Sequence, residues 1–103
     1  MTQPEKVNLI FAGLSKYFGV SQDKISAPHR SRDSIHIVKK FAIYFMRTHT
    51  ILSWADIKRE LGYRQQNTLK YHYNNLLEDL SEESYGDPRA KKVLEELKEY
   101  IPL

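Results

Sequence analysis

The chain has 103 residues, of which 41% are hydrophobic and 28% are charged, and it contains no cysteine. This length and composition favour one folded domain over residues 1–103, and they exclude a disulfide framework and cysteine-based catalysis. The sequence has no apolar run long enough to cross a bilayer and no signal-peptide pattern. The lack of cysteine fits a cytoplasmic protein.

The formal net charge of +3 conceals an uneven distribution. Residues 1–72 contain twelve Lys or Arg and five Asp or Glu, whereas residues 73–103 contain four and eight. A basic body with an acidic C-terminal part is typical of a protein that binds a polyanion on one side. The alternative is that both groups of charges only keep the surface solvated.

Hydrophobic spacing predicts two helical segments near the N-terminus. The first helix is expected over residues 5–18, after a frayed start at residues 1–4, and it ends at Gly19. A short helical turn over residues 21–25 follows, with Ser21 as its N-cap.

A basic loop precedes the most regular helix of the sequence. Residues 26–32 contain two arginines, a histidine and Pro28, which disfavours helix for the residue before it. An apolar stripe without Gly or Pro then predicts a long helix over about residues 33–48, capped by Ser31 or Asp33. Three basic side chains of this helix are expected to point away from the core: Lys39, Lys40 and Arg47.

Residues 53–80 have the outline of a helix-turn-helix. Ser53 is a suitable N-cap, Asp56 completes a capping box, and Gly62 ends the first helix. The second helix is predicted over residues 66–80. One of its faces is apolar and expected to be buried: Leu69, Tyr73, Leu76, Leu77 and Leu80.

The other face of the second helix is polar. Its side chains are of the types that hydrogen-bond to base edges or phosphates and that do not build a core. They are Gln65, Gln66, Asn67, Lys70, Tyr71 and Asn74. The alternative interpretation is a generic helical hairpin with a solvated polar face.

The last helix is predicted to follow a polar connector over residues 81–86. Asp87 is a good N-cap, Pro88 suits the first helical position, and Pro102 ends the helix. The outer face of this helix is acidic and available to a protein partner. Because no β-hairpin signal is present, the indicated fold class is all-α with about six helices.

In this order, the basic loop, the long helix and the helix-turn-helix resemble the C-terminal DNA-binding domain of the bacterial replication initiator DnaA, a Trp-repressor-like domain. Residues 26–32 look like that family's basic loop. Residues 39–45 look like its Arg-Gln-Ile-Ala-Met-Tyr-Leu segment, and residues 52–69 like its capped helix leading through glycine into Arg-Asp-His-Thr-Thr-Val. The resemblance is without a gap over residues 30–72 and extends in kind over residues 5–101.

The resemblance implies a role for each matching position. The family's minor-groove arginine falls on Arg30, and Arg32 would hold the DNA backbone beside it. The phosphate-binding pair of the long helix falls on Lys39 and Lys40. Further backbone contacts are implied for Arg47, Arg64 and Thr68. From residue type alone, Lys70 is expected to contact a base or phosphate and Tyr71 a sugar or phosphate, with packing at the helix edge as the alternative for Tyr71.

The chain departs from the family at the residues that read bases. The family's Asp-His-Thr is replaced by Gln65, Gln66 and Asn67. An aspartate accepts a hydrogen bond from cytosine, whereas Gln and Asn suit adenine in the major groove. The docking residues thus look retained and the base readers look replaced, so the resemblance does not extend to reading of the initiator's own box.

Enzymatic activity is not expected, and the sequence indicates no cofactor and no metal. The four histidines have no metal-ligand spacing, and the four glycines form no phosphate-binding P-loop, unlike the ATPase of a full initiator. The chain is expected to be a DNA-binding module that stands alone or that was cut from a longer protein.

The leading hypothesis is sequence-specific binding of double-stranded DNA, in replication initiation or its regulation. The cytoplasmic protein would be nucleoid-associated if bound to DNA. The alternative is a protein-interaction or regulatory module that keeps the fold and has lost specific reading. RNA binding has little support, since no aromatic stacking platform is evident.

Overall fold

A computed structural model describes residues 2–27, 35–81 and 88–103. Within these ranges the chain forms six helices and no strand, which confirms the all-α class. The helices are α1 Gln3–Phe18, α2 Gln22–Ser26, α3 Ile35–His49, α4 Trp54–Leu61, α5 Gln66–Leu80 and α6 Pro88–Tyr100. None of the helices in these ranges is both long enough and apolar enough to cross a membrane.

The first helix begins earlier than the sequence predicts. The Thr2 side chain accepts a hydrogen bond from the Glu5 amide (3.3 Å), and Pro4 lies in the first turn, where a missing N–H costs nothing. Residues 2–4 are therefore an ordered helix start rather than a frayed end. Ser21 caps α2 as predicted, because its hydroxyl accepts from the amide of Lys24.

The central helix is α3, because α1, α2, α4 and α5 all pack against it. Its predicted apolar stripe is buried, and Ile43 and Met46 are buried as well. The helix α6 closes the structure by packing on α1 and α5. This arrangement seats the helix-turn-helix, α4 and α5, on α3.

Leu77 of α5 is 40% exposed, although its spacing predicts burial. Leu69 and Leu76 are seven residues apart and share the face that packs in the core. Leu77 is rotated by about 100° from Leu76 around the helix, which takes it out of that face. The predicted apolar stripe of α5 is therefore wider than the buried face.

Several predicted features lie outside the described residues. They are the cap at Ser31 or Asp33, most of the basic loop with Pro28, the connector after Ser81, and the N-cap Asp87.

Gly13 of α1 lies where this helix touches the end of α6. A Cβ atom at this position would lie 2.7 Å from the carbonyl oxygen of Tyr100 and would clash with the Ile101 side chain. We expect Gly13→Ala to lower the free energy of unfolding by about 1–3 kcal/mol, although alanine is the better helix former, because the backbone must move. Urea denaturation tests this, with Asn8→Ala on the exposed side of α1 as the control. A more stable Gly13→Ala variant would show that α1 and α6 do not touch here.

Candidate nucleic-acid interface

The first helix of the helix-turn-helix, α4, is held at its start by a capping box. The Ser53 hydroxyl accepts from the Asp56 amide (3.2 Å), and the Asp56 carboxylate accepts from the Ser53 amide (3.2 Å). The Ser53 hydroxyl also donates to the Asp56 carboxylate (2.9 Å), and this bond, followed by those from the Ser53 amide and the Arg59 guanidinium, holds the pKa of Asp56 below its usual range. The predicted cap is confirmed, and Ile57 and Leu61 of α4 are buried.

The turn between the two helices has one defined geometry. Gly62 has a φ of 71°, its amide donates to the carbonyl of Arg59 (3.4 Å), and the amide of Tyr63 donates to the carbonyl of Lys58 (3.1 Å). This is a Schellman motif, which glycine adopts without steric cost. The Tyr63 ring then lies 5.9 Å from the ring of His72 on α5, and burial raises the pKa of the Tyr63 phenol. The turn is thus packed onto the second helix.

The second helix, α5, presents most of the predicted DNA contacts on one exposed surface. We call this the recognition surface, and it consists of Arg64, Gln65, Gln66, Asn67, Lys70, Tyr71 and Asn74, all exposed. Tyr71 is 66% exposed, which makes it the most exposed aromatic side chain of this helix. Thr68 is half-buried at the edge of the surface.

The start of α5 favours a negatively charged ligand. The first turn has no acidic residue, and the Gln65 side chain forms no capping hydrogen bond. By contrast, the first turns of α1, α2 and α4 each contain an acidic residue. Residues 62–77 contain two basic side chains and no Asp or Glu. The positive end of the α5 dipole therefore has no acidic residue within residues 62–77 to offset it, as the first turns of α3 and α6 also contain none.

Lys39 contradicts the prediction that it points away from the core. Its side chain is 0% exposed, and its Nζ donates to the carbonyl of Leu61 (2.7 Å) and to that of Ala27. The ammonium also lies 5.1 Å from the centre of the Tyr63 ring. Burial leaves this group no surface for a phosphate, so the predicted phosphate contact at Lys39 is wrong.

Lys40 and Arg47 lie away from the start of α5. Lys40 is half-buried and lines an open groove of about 440 Å³ together with Leu76 and Asp79 of α5. Asp79 lies roughly 18 Å along the helix axis from Asn67. The Arg47 guanidinium is exposed and stacks over the Trp54 ring at 4.7 Å, beside the start of α4.

Arg30, the predicted minor-groove residue, and Arg32, the predicted backbone contact beside it, lie outside the described residues. On either side of them, the Ala27 carbonyl accepts from the buried Lys39 ammonium, and Ile35 is buried in the core. The sequence did not predict that Lys39 is buried and donates to the carbonyls of Ala27 and Leu61. It also did not predict the packing of Tyr63 on His72.

Comparison with known proteins confirms the resemblance that the motifs indicate. The chain is 29% identical over 92 residues to the chromosomal replication initiator protein DnaA of Herpetosiphon aurantiacus, which covers 89% of this chain and 18% of that protein. It is 28% identical over 90 residues to DnaA of Chloroflexus aurantiacus, and the match covers 87% of this chain and 18% of that protein. It is 28% identical over 72 residues to DnaA of Chloroflexus aggregans, and the match covers 70% of this chain and 15% of that protein.

The chain therefore spans less than a fifth of the length of these initiator proteins. No family model matches the chain, and no solved structure matches it. Over most of its own length, the chain is similar to one part of the replication initiator DnaA.

Proposed function

We propose that this chain is a double-stranded DNA-binding domain that reads sequence with α5 in the major groove. The observation that carries the proposal is the recognition surface: an exposed, acid-free group of amide and basic side chains at the start of the second helix of a helix-turn-helix. An α-helix fits the major groove, and the N-terminal residues of a recognition helix contact base edges. The similarity to replication initiators supports the same assignment.

In this proposal the side chains divide into base readers and backbone contacts. Gln65, Gln66 and Asn67 offer amide groups that suit adenine, and no charged group competes with them in the first turn of α5. Phosphate contacts come from the basic and hydroxyl side chains beside these readers, Arg64, Thr68, Lys70 and Tyr71. A more distant phosphate contact comes from Arg47 beside the start of α4. Arg30 enters the adjacent minor groove, with Arg32 on the backbone beside it.

Lys39 is not included among these contacts, because its ammonium is buried. Lys40 lines a groove with Asp79 and Arg89 at the far half of α5, so its predicted phosphate contact would be separate from those beside the readers. The process that the similarity implies is replication initiation or its regulation.

A binding-site selection on random duplexes tests the proposal. We expect one enriched motif that contains adenines, because three amide side chains lead the recognition helix. On the enriched duplex, the logarithm of affinity should fall with the logarithm of salt concentration with a slope of about −4 to −5, for roughly four to six neutralised phosphates. Weak, sequence-blind binding that disappears with salt would contradict specific reading.

The second candidate is a protein-interaction module that uses the outer side of α6. This side is mixed in charge and not acidic as predicted, because Arg89, Lys91, Lys92 and Lys98 are exposed beside Glu95 and Glu99. A partner surface that carries both signs of charge would suit this face. The selection separates the candidates, because this module would enrich no motif.

A further inference from the structure

The buried ammonium of Lys39 lies between the ends of two helices. Leu61 is the last residue of α4, and its carbonyl oxygen lies 2.7 Å from Nζ. Ala27 directly follows α2, and its carbonyl accepts from the same nitrogen. The centre of the Tyr63 ring is 5.1 Å away, so the chain on both sides of Gly62 contacts this one group.

Electrostatics explain why a cation is stable at this place. The last carbonyls of a helix have no partner inside the helix and form the negative end of its dipole. An ammonium has three donors, and two carbonyls and an aromatic face replace the water that it loses on burial. A buried cation without such partners is very costly, so the lysine stays in the core only while both helix ends keep their positions.

The end of α4 is closely connected to the start of α5. The turn between Leu61 and Gln66 contains four residues, and its Tyr63 ring packs between the Lys39 ammonium and His72 of α5. A displacement at the carbonyl of Leu61 is therefore passed to Gln65 through the backbone and to α5 through Tyr63.

We propose that Lys39 is a positioning residue for base recognition. It fixes the ends of α2 and α4 on α3 and so sets the angle at which α5 presents its first turn. This inference rests on the proposed function of α5 but gives Lys39 no contact with DNA. Its signature is a loss of base discrimination without a loss of phosphate contacts.

The first measurement needs no DNA. Lys39→Met keeps the unbranched chain and removes the ammonium, whereas Lys70→Met removes an exposed lysine of the recognition surface. Hydrogen exchange of the amides at residues 61–64 and 24–27 should become faster by at least about tenfold in Lys39→Met, because these segments lose the partner that holds them. Exchange in Lys70→Met should match the parent, and unchanged exchange in Lys39→Met would overturn the proposal.

The second measurement separates positioning from phosphate binding. In Lys39→Met the ratio of affinities for the selected duplex and a single-base-pair variant should fall about fivefold or more, while the salt slope stays that of the parent. In Lys70→Met the slope of log affinity against log salt concentration should become shallower by about 0.9, while the ratio of affinities for the two duplexes stays that of the parent. A shallower slope in Lys39→Met would mean a phosphate contact and would overturn the positioning role.

A double-mutant cycle with Gln66→Ala adds a third readout. If Lys39 acts through the angle of α5, its effect on discrimination should largely disappear in the Gln66→Ala background, whereas independent roles would add. If the parent selects no site, the proposed function is wrong, and the exchange result alone then decides whether Lys39 fixes the two helix ends.

Should Lys39→Met not fold, Lys39→Arg takes its place in both measurements. It keeps the charge but replaces a compact ammonium by a larger planar group, which displaces the carbonyls of Leu61 and Ala27. The same fall in discrimination at an unchanged slope is expected. Full discrimination and parental exchange rates in Lys39→Arg would overturn the proposal.

Discussion

Replacing Gln65, Gln66 and Asn67 together by alanine is expected to lower affinity for the selected duplex by about 10²- to 10⁶-fold, since each of the three lost base contacts costs about 1–3 kcal/mol. Affinity for a scrambled duplex should change by less than about twofold, because the phosphate contacts of Arg64 and Lys70 remain and salt dependence follows them. Fluorescence anisotropy with both duplexes at two salt concentrations measures the two effects separately.

The fold of this triple variant is expected to be intact. All three side chains are exposed, Gln65 is the N-cap of α5 but its side chain forms no capping hydrogen bond, and alanine favours the helical state at positions 66 and 67. Gln22→Ala, which removes an exposed amide from α2, is the matched control and should bind both duplexes as the parent does. If the triple variant still binds the selected duplex as tightly as the parent, the first turn of α5 does not read bases.

The helix-turn-helix is predictable from sequence because its limits are set by local signals. Ser53 and Asp56 cap α4 through bonds within one turn, and Gly62 supplies the left-handed residue that a Schellman motif needs. The α5 bounds, Gln66–Leu80, equal the predicted ones, since a polar start and an apolar period mark them without reference to the rest of the chain. The exposure of the recognition surface follows from the same period.

Lys39 shows where sequence reasoning stops. Lysine is rarely buried, so its charge suggested an exposed position. Its spacing suggested the opposite, because it is four residues after Ile35 and three before Ala42, and both of these are buried. That spacing places Lys39 on the core face of α3, but the carbonyls that make burial tolerable belong to α2 and α4. Whether these carbonyls lie beside Lys39 depends on tertiary packing, which the hydrophobic period of a single helix does not determine.

The groove beside Lys40 is a second result of tertiary packing. Its walls come from α3, α5 and α6, which are far apart in the sequence. The resemblance places Lys40 beside Lys39 as a phosphate-binding pair, yet one lies in the core and the other at the far half of α5. Adjacent positions on a helix point about 100° apart, so a pair in the sequence is not a pair on one surface.

Leu69→Ala is expected to lower the free energy of unfolding by about 3–4 kcal/mol, and Leu77→Ala by less than about 1 kcal/mol. Leu69 is 0% exposed and attaches the recognition helix to the core, whereas Leu77 is 40% exposed on the same helix. Both substitutions change helix propensity equally, so the difference between them isolates burial. Urea denaturation of both variants gives the two losses of unfolding free energy. The slope of unfolding free energy against urea concentration should equal that of the parent in both variants.

The pair tests the orientation of α5 and not only its stability. The sequence assigns both leucines to one apolar face, and equal losses would mean that the helix is rotated toward Leu77. Such a rotation would also turn Lys70 toward the core, since it lies seven residues before Leu77 on the same side of the helix. The recognition surface would then not present the side chains that we assign to it. A large difference between Leu69→Ala and Leu77→Ala therefore supports the orientation that base reading by α5 requires.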